Sequence, residues 1–210
     1  MIIVSIRLLY QFPPWLQRLY RGVVWRENPS SKVVYLTFDD GPIPECTPQL
    51  LDILKQYGVK ATFFMVAENA ERYPELLARV RGEGHVVGNH TYHHMRGCKH
   101  DTQTYVRDAL RGAEVLQTTL FRPPHGRMRN NQKKALINQG YTIYLWDVLT
   151  HDYNPHYSVD KMLAVVKRYT RNGSILVMHD SLKSKDRMLE ALPQIIEWLQ
   201  ANGYKMGVLG

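Results

Sequence analysis

Residues 33–42 read VVYLTFDDGP. A β-branched and aromatic run ends on two adjacent carboxylates, Asp39 and Asp40, and Gly41-Pro42 then stops any regular structure. Carboxylates this close resist joint ionisation unless a cation compensates them. Asp-Gly and Gly-Pro are also turn formers, so an ordinary turn is the plain alternative. What decides between the two is which other residues the chain brings to the end of this strand.

The same pattern recurs along the chain. Apolar runs at 33–38, 61–66, 85–90, 119–123, 141–148, 174–180 and 204–209 alternate with stretches of helical period. The first helical stretch has Thr47 as N-cap, Pro48 in the first turn, apolar Leu50, Leu51, Ile53 and Leu54, and Gly58 to end it. Pro193 is expected to kink or divide the last one. Strict alternation predicts an α/β fold with a parallel sheet and right-handed crossovers. Seven units suit a barrel-like (β/α) sheet, one short of the common eight. An open doubly wound sheet is the alternative, but its glycine-rich nucleotide loop is absent.

Composition narrows the classes. The 210 residues are 44% hydrophobic and 22% charged, which suits one globular domain. Two cysteines, Cys46 and Cys98, make neither a disulfide framework nor a zinc ribbon. The net charge of +8 favours anionic neighbours, but the basic residues are scattered and form no nucleic-acid motif, so no nucleic acid is expected. Residues 1–31 form an extension before the domain of 32–210. The extension is apolar and basic, with no acid before Glu27, and is interrupted by Arg7 and Pro13-Pro14. It fits neither a spanning helix nor a secretory signal, so a cytoplasmic or peripheral location is the default expectation. The segment is expected to pack on the domain. The alternative is peripheral membrane contact, with Trp15, Tyr20 and Trp25 at the interface.

In either architecture ligands bind at the carboxyl ends of the strands. Asp39-Asp40, His90, His93, His94, Arg122, His125, Asp147, His151, Asp152, His179 and Asp180 all stand there. That gathering argues against a mere turn at residues 39–42. His90 and His94 in GNHTYHH are four apart, so a helical turn would put both imidazoles on one face. Two histidines and one carboxylate with open positions make a catalytic site for zinc or a similar divalent ion. One of Asp39 and Asp40 would bind the ion and the other would remain free as a general base; the spacing does not choose. Arg122 would hold the free carboxylate ionised, and His179, on another strand, would approach as a general acid.

TFDDGP, HTYHH, RPPHGR, WDVLTHDY and LVMH occur in that order. They resemble the five motifs of the polysaccharide deacetylase family (NodB-like, carbohydrate esterase family 4) over roughly residues 32–209. The resemblance implies a distorted (β/α) barrel of about seven parallel strands that removes N- or O-acetyl groups from glycans. It implies one divalent metal ion, zinc first, with cobalt, nickel or manganese as alternatives. By motif position, Asp39 would be the base, Arg122 its brace and His179 the acid, while Asp40, His90 and His94 would hold the metal. Leu176 would line the acetyl pocket, and His125, Trp146, Asp152 and Tyr153 would contact an acetylated glycan. The chain departs from the family pattern at His125, where tyrosine is usual, at Tyr153, where tryptophan is usual, and at Leu149. There the family carries an acid that sets the ionisation of the catalytic histidine. These departures define two rival expectations: a glycan-binding protein with weak or lost deacetylase activity, and a same-fold hydrolase of a small cyclic amide.

Overall fold

The computed structural model describes residues 10–13, 15, 17 and 20–210. Seven strands form one continuous parallel path. In chain order they are β1 (Val33–Asp39), β2 (Thr62–Met65), β3 (Val86–Asn89), β4 (Leu120–Phe121), β5 (Thr142–Ile143), β6 (Val148–Leu149) and β7 (Ile175–His179). Their spatial order is β5-β4-β3-β2-β1-β7-β6. A short β8 (Lys205–Gly207) pairs with the first half of β1, collinear with β2 on the same edge. From residue 47 onward the α-helices are α1 (Thr47–Gln56), α2 (Ala67–Arg72), α3 (Pro74–Gly82), α4 (Thr102–Leu116), α5 (Asn130–Asn138), α6 (Val159–Tyr169) and α7 (Lys185–Ala201).

Alternation along the strands assigns the two faces of the sheet. Val34, Leu36 and Phe38 of β1, Phe63 and Met65 of β2, and Leu176 and Met178 of β7 join the main core with the helices. Phe64 and Ile175 join a second cluster with Tyr144 and Leu209 on the opposite, inner face. Burial on both faces is why these strands read as near-continuous apolar runs. Because Leu36 is on the helix side, Thr37 and Asp39 are on the inner side. Asp39 is level with Phe64 on β2 and His179 on β7.

Three expectations change. The run at 141–148 is two strands, since β5 pairs with β4 and β6 pairs with β7. The chain changes partners at Leu145-Trp146, where backbone groups turn elsewhere: Leu145 N–H donates to Val24 C=O and Leu145 C=O accepts from Arg122. Helix α7 runs undivided through Pro193. Helix α2 has no counterpart among the sequence signals, because it is short and follows β2 without a polar cap.

Part of the extension lies against the gap between β5 and β6. Val24 bridges Tyr144, and Arg26 bridges Ser174. Gln11 Nε2 donates to Asp147 Oδ1 at 3.1 Å. Trp25 is buried and Tyr20 donates to Met128 C=O, while Trp15 is 57% exposed. The expectations of packing or membrane contact for residues 1–9 lie outside the described residues.

Asp147 is not a rim acid but a buried tie. It accepts from Arg171 Nε at 2.9 Å and Nη2 at 2.7 Å, from Ser174 Oγ at 2.7 Å, and from Gln11. Arg171→Ala would leave a fully buried carboxylate short of its cation. It should cost roughly 2–4 kcal/mol and lower Tm by roughly 5–15 °C. Thermal unfolding checks this; an unchanged Tm would mean that Ser174 and Gln11 suffice.

Candidate active site

Asp39 is buried on the inner face at the end of β1. Arg122, fully buried just after β4, donates from Nη1 to Asp39 Oδ1 at 2.7 Å and to Thr37 Oγ1 at 2.7 Å, and from Nη2 to Leu145 C=O at 3.0 Å. Its guanidinium also lies 4.1 Å over the Phe64 ring. Burial lowers the Arg122 pKa, while Asp39 works in the opposite direction. A guanidinium stays charged in that contest, so the base candidate has a permanent cation beside it.

Asp40 leaves the strand with φ 82° and turns towards two imidazoles. His94 Nε2 lies 3.2 Å and His90 Nε2 3.7 Å from Asp40 Oδ1. One ligand atom from each of the three falls within 4.8 Å of the others, the one such cluster among the described residues. His90 Nδ1 donates to Arg122 C=O at 2.7 Å, which turns the Nε2 lone pair towards Asp40. Burial also pushes the His90 pKa down to about 4, despite Asp39 nearby, so the ring is neutral at pH 7 as a metal ligand must be. Burial opposes ionisation of Asp40, but His94, His179 and His90 outweigh it and hold its carboxyl below the usual range. Two imidazole nitrogens and one carboxylate fit zinc or a similar divalent ion.

No helical turn brings the two histidines together. Residues 90–96 are irregular, with Thr91 at φ 66° and His94 at φ 52°. Side chains fix this loop. Asn89 Oδ1 accepts from Thr91 N–H at 2.8 Å, and Asp108 Oδ2, on α4, accepts from Tyr92 and His93 N–H at 3.1 Å each. His93 turns to Asp108 and stays out of the cluster. Of the six non-glycine residues with positive φ among those described, five lie in site loops: Asp40, Thr91, His94, His125 and His151. Strain of this kind persists where the surroundings over-determine it.

His179 closes the arrangement. Asp152 Oδ1 accepts from His179 Nδ1 at 2.8 Å, and Asp152 Oδ2 accepts from the His179 backbone N–H at 2.6 Å. Burial disfavours the imidazolium, but Asp152, then Asp40 and Asp39, more than compensate and raise the His179 pKa to about 9. The next residue, Asp180, donates its N–H to Asp39 C=O at 2.7 Å and accepts from Thr47 Oγ1 at 2.6 Å. A Cβ at residue 41 would sit 2.1 Å from Asp180 Oδ2, so only glycine fits there.

Asp39, Asp40, His90, His94 and His179 line a cavity of about 480 Å³, together with Trp146, Leu149 and Tyr153, and with Arg127 and Lys183. His125 lines it too, exposed and left-handed at φ 58°. Its ring centroid is 4.9 Å from that of His94. Gly126 lies against Trp146, whose Cη2 would meet an added Cβ at 2.5 Å.

Residues 26–144, more than half of the chain, match the family model described as Polysaccharide deacetylase. The chain belongs to the polysaccharide deacetylase family. Among similar proteins is a peptidoglycan-N-acetylglucosamine deacetylase of Bacillus cereus, 37% identical over 183 residues, which cover 84% of this chain and 66% of that protein. A chitooligosaccharide deacetylase of a Bradyrhizobium species is 33% identical over 195 residues, which cover 84% of this chain and 88% of that protein. The crystal structure of the Bc1960 peptidoglycan N-acetylglucosamine deacetylase, in complex with 4-naphthalen-1-yl-N-oxidanyl-benzamide, superposes with a TM-score of 0.87 at 34% identity, covering 94% of this chain and 95% of that one. The NodB-like fold of about seven parallel strands expected from the motifs is therefore the observed one, curled as a half-barrel.

Two site expectations need correction within this family frame. Leu149 does not deprive His179 of an acid, because Asp152 reaches it from three residues further on. Leu176 does not reach the cavity. It is three residues from His179, hence on the opposite face of β7, and is fully buried in the main core. Val177, two residues from His179, is the residue on the same face. The period of a strand was enough to find this.

The Asp152 contact can be tested directly. Below the ordinary histidine pKa of roughly 6.5 the imidazolium–carboxylate pair contributes fully to stability. That contribution is lost as pH rises through about 9. NMR titration of the metal-free protein should find His179 protonated up to about pH 9, and Asp152→Asn should bring its pKa down. An unshifted His179 in that variant would remove Asp152 from the role.

Proposed function

We propose that this chain is a metal-dependent deacetylase that removes the N-acetyl group from a glycan of the peptidoglycan or chitooligosaccharide type. The observation that carries the reading is the pairing of Asp39 and His179 as level neighbours on β1 and β7. One is salt-bridged to a buried arginine and the other is held protonated by a buried aspartate. A base and an acid side by side beside a three-ligand cluster suit hydrolysis of an amide.

Asp40, His90 and His94 would hold the ion, zinc first by donor chemistry. When bound, it would supply Lewis acidity towards the acetyl carbonyl and the attacking water. The hydroxamate bound by the Bc1960 deacetylase is a metal-chelating group, which supports this site. Asp39 takes the proton of the attacking water, and Arg122 keeps that carboxylate charged and in place. His179 delivers its Nε2 proton to the departing nitrogen, which leaves poorly without one. The backbone N–H of His125 is the donor for the developing oxyanion. Pro123-Pro124 stiffens its approach, and Gly126 allows the chain to turn away. The side chain of His125 is secondary in this reading, and Trp146 and Tyr153 contact the sugar.

A binding protein without turnover was the rival, on the strength of Leu149 and Tyr153. The Asp152–His179 pair removes the first of these grounds. The aromatic lining of the cavity favours a glycan over a small cyclic amide.

Release of acetate from N-acetylated chitooligosaccharides and from peptidoglycan tests the reading. The protein with added zinc should release acetate, and a chelator should stop it. Asp39→Asn should retain the metal yet lose about 10²–10⁴-fold in kcat. Near-normal turnover by a metal-loaded Asp39→Asn protein would show that the base is another group.

A further inference from the structure

The cavity is also lined by Tyr10, Phe12 and Trp25, which precede the residues matched to the family model. They are not there by chance contact. Tyr10 Oη lies 2.7 Å from Tyr157 Oη, and its ring stacks on Tyr169 at 5.6 Å. Gln11, between the two lining rings, is buried and donates to Asp147 and to Tyr169 C=O. Phe12 packs on Trp25 with centroids 4.8 Å apart. Phe12 is half-buried, while Trp25 behind it is only 8% exposed. Rings also link this segment to the acid: Tyr10 meets His151 edge-on at 5.5 Å, His151 lies 5.7 Å from Tyr153, and Tyr153 meets His179 edge-on at 5.0 Å.

From this placement we infer that Phe12, backed by Trp25 and flanked by Tyr10, forms a subsite for a second sugar ring of the glycan, adjacent to the ring whose acetyl group reacts. The inference rests on the glycan reading above. The cavity, about 480 Å³, is within the range of roughly 300–1,000 Å³ typical of ligand sites and exceeds what an acetyl group needs. A pyranose presents a face of C–H bonds flanked by hydroxyls. A fixed aromatic ring covers that face with little loss of rotamer freedom, and phenolic oxygens such as that of Tyr10 can bond the hydroxyls. Anchoring by Gln11 to a buried carboxylate fixes the wall before the ligand arrives, which reduces the cost of binding.

The test is calorimetric binding of N-acetylglucosamine and of its β-1,4-linked tetramer to the full chain loaded with zinc, with acetate release recorded in parallel. For Phe12→Ala, the ratio of tetramer to monosaccharide affinity should fall about 3- to 10-fold, the size expected for one aromatic contact. Phe12→Leu keeps apolar packing without a ring and should show the same fall, so it decides the matter if the alanine variant is unfolded by circular dichroism. Trp15→Ala, which removes an exposed ring of the same segment outside the cavity, should leave the ratio unchanged. An unchanged ratio in a folded Phe12 variant, or a wild-type protein that binds the tetramer no better than the monosaccharide, would overturn the subsite. If the ratio falls as expected but no acetate is released, the subsite stands and the deacetylase reading fails instead.

Discussion

One buried guanidinium organises this site. Arg122 has no exposed surface, yet it touches three parts of the barrel at once: Thr37 and Asp39 on β1, Leu145 C=O at the break between β5 and β6, and, through its own carbonyl, His90 Nδ1. Removing it would leave Asp39 buried and unpaired, a loss of roughly 3–5 kcal/mol for a pair of this kind. A buried ion pair is weak evidence for stability in itself. Its position suggests what it is for. The same residue holds the Asp39 carboxylate and orients one imidazole of the Asp40–His90–His94 cluster.

The two adjacent aspartates are compatible because each has its own principal partner, with His90 Nε2 between them at 4.0 Å from Asp39 Oδ2 and 3.7 Å from Asp40 Oδ1. Asp39 stays in the strand, points inward and meets Arg122. Asp40 leaves the strand in a left-handed conformation and meets His90 and His94. Their backbones are held from behind: Asp39 C=O accepts from Asp180 N–H, and Asp40 C=O accepts from Asn69 at 3.0 Å. On the neighbouring strand, Asp152 does for His179 what Arg122 does for Asp39, with the opposite sign of charge. Asp39 and His179 thus have separate principal supports, Arg122 and Asp152, while Asp40 of the cluster adds to the charge that favours the His179 imidazolium.

Much of this was legible in the sequence. Apolar runs and helix caps gave the alternation, and with it the rim on which Asp39, Asp40, His90, His94, Arg122 and His179 meet. The motifs then assigned Asp40 to the cluster and Asp39 to the base, which spacing alone could not do. Where the reading went astray, the controlling contact was distant in sequence or the local rule was incomplete. The HTYHH loop converges through left-handed residues and the Asp108 carboxylate rather than a helical turn. Asp152 serves His179 from 27 residues away, so Leu149 looked like a deficit. Tyr10 and Phe12 carry no motif, and only the break between β5 and β6 gives them a place at the cavity. Leu176 is different: a count of two along the strand places it away from His179, and that signal was available.

The central claim is a division of labour, with Asp40 on the metal and Asp39 kept off it by Arg122. Anomalous diffraction at the zinc edge, from crystals grown with zinc, addresses it most directly. The account predicts one peak at roughly 2.0–2.2 Å from Asp40, His90 Nε2 and His94 Nε2, with Asp39 unligated and still bonded to Arg122. A peak that draws Asp39 into the coordination sphere and breaks its bond to Arg122 would contradict it, as would an ion bound away from His90.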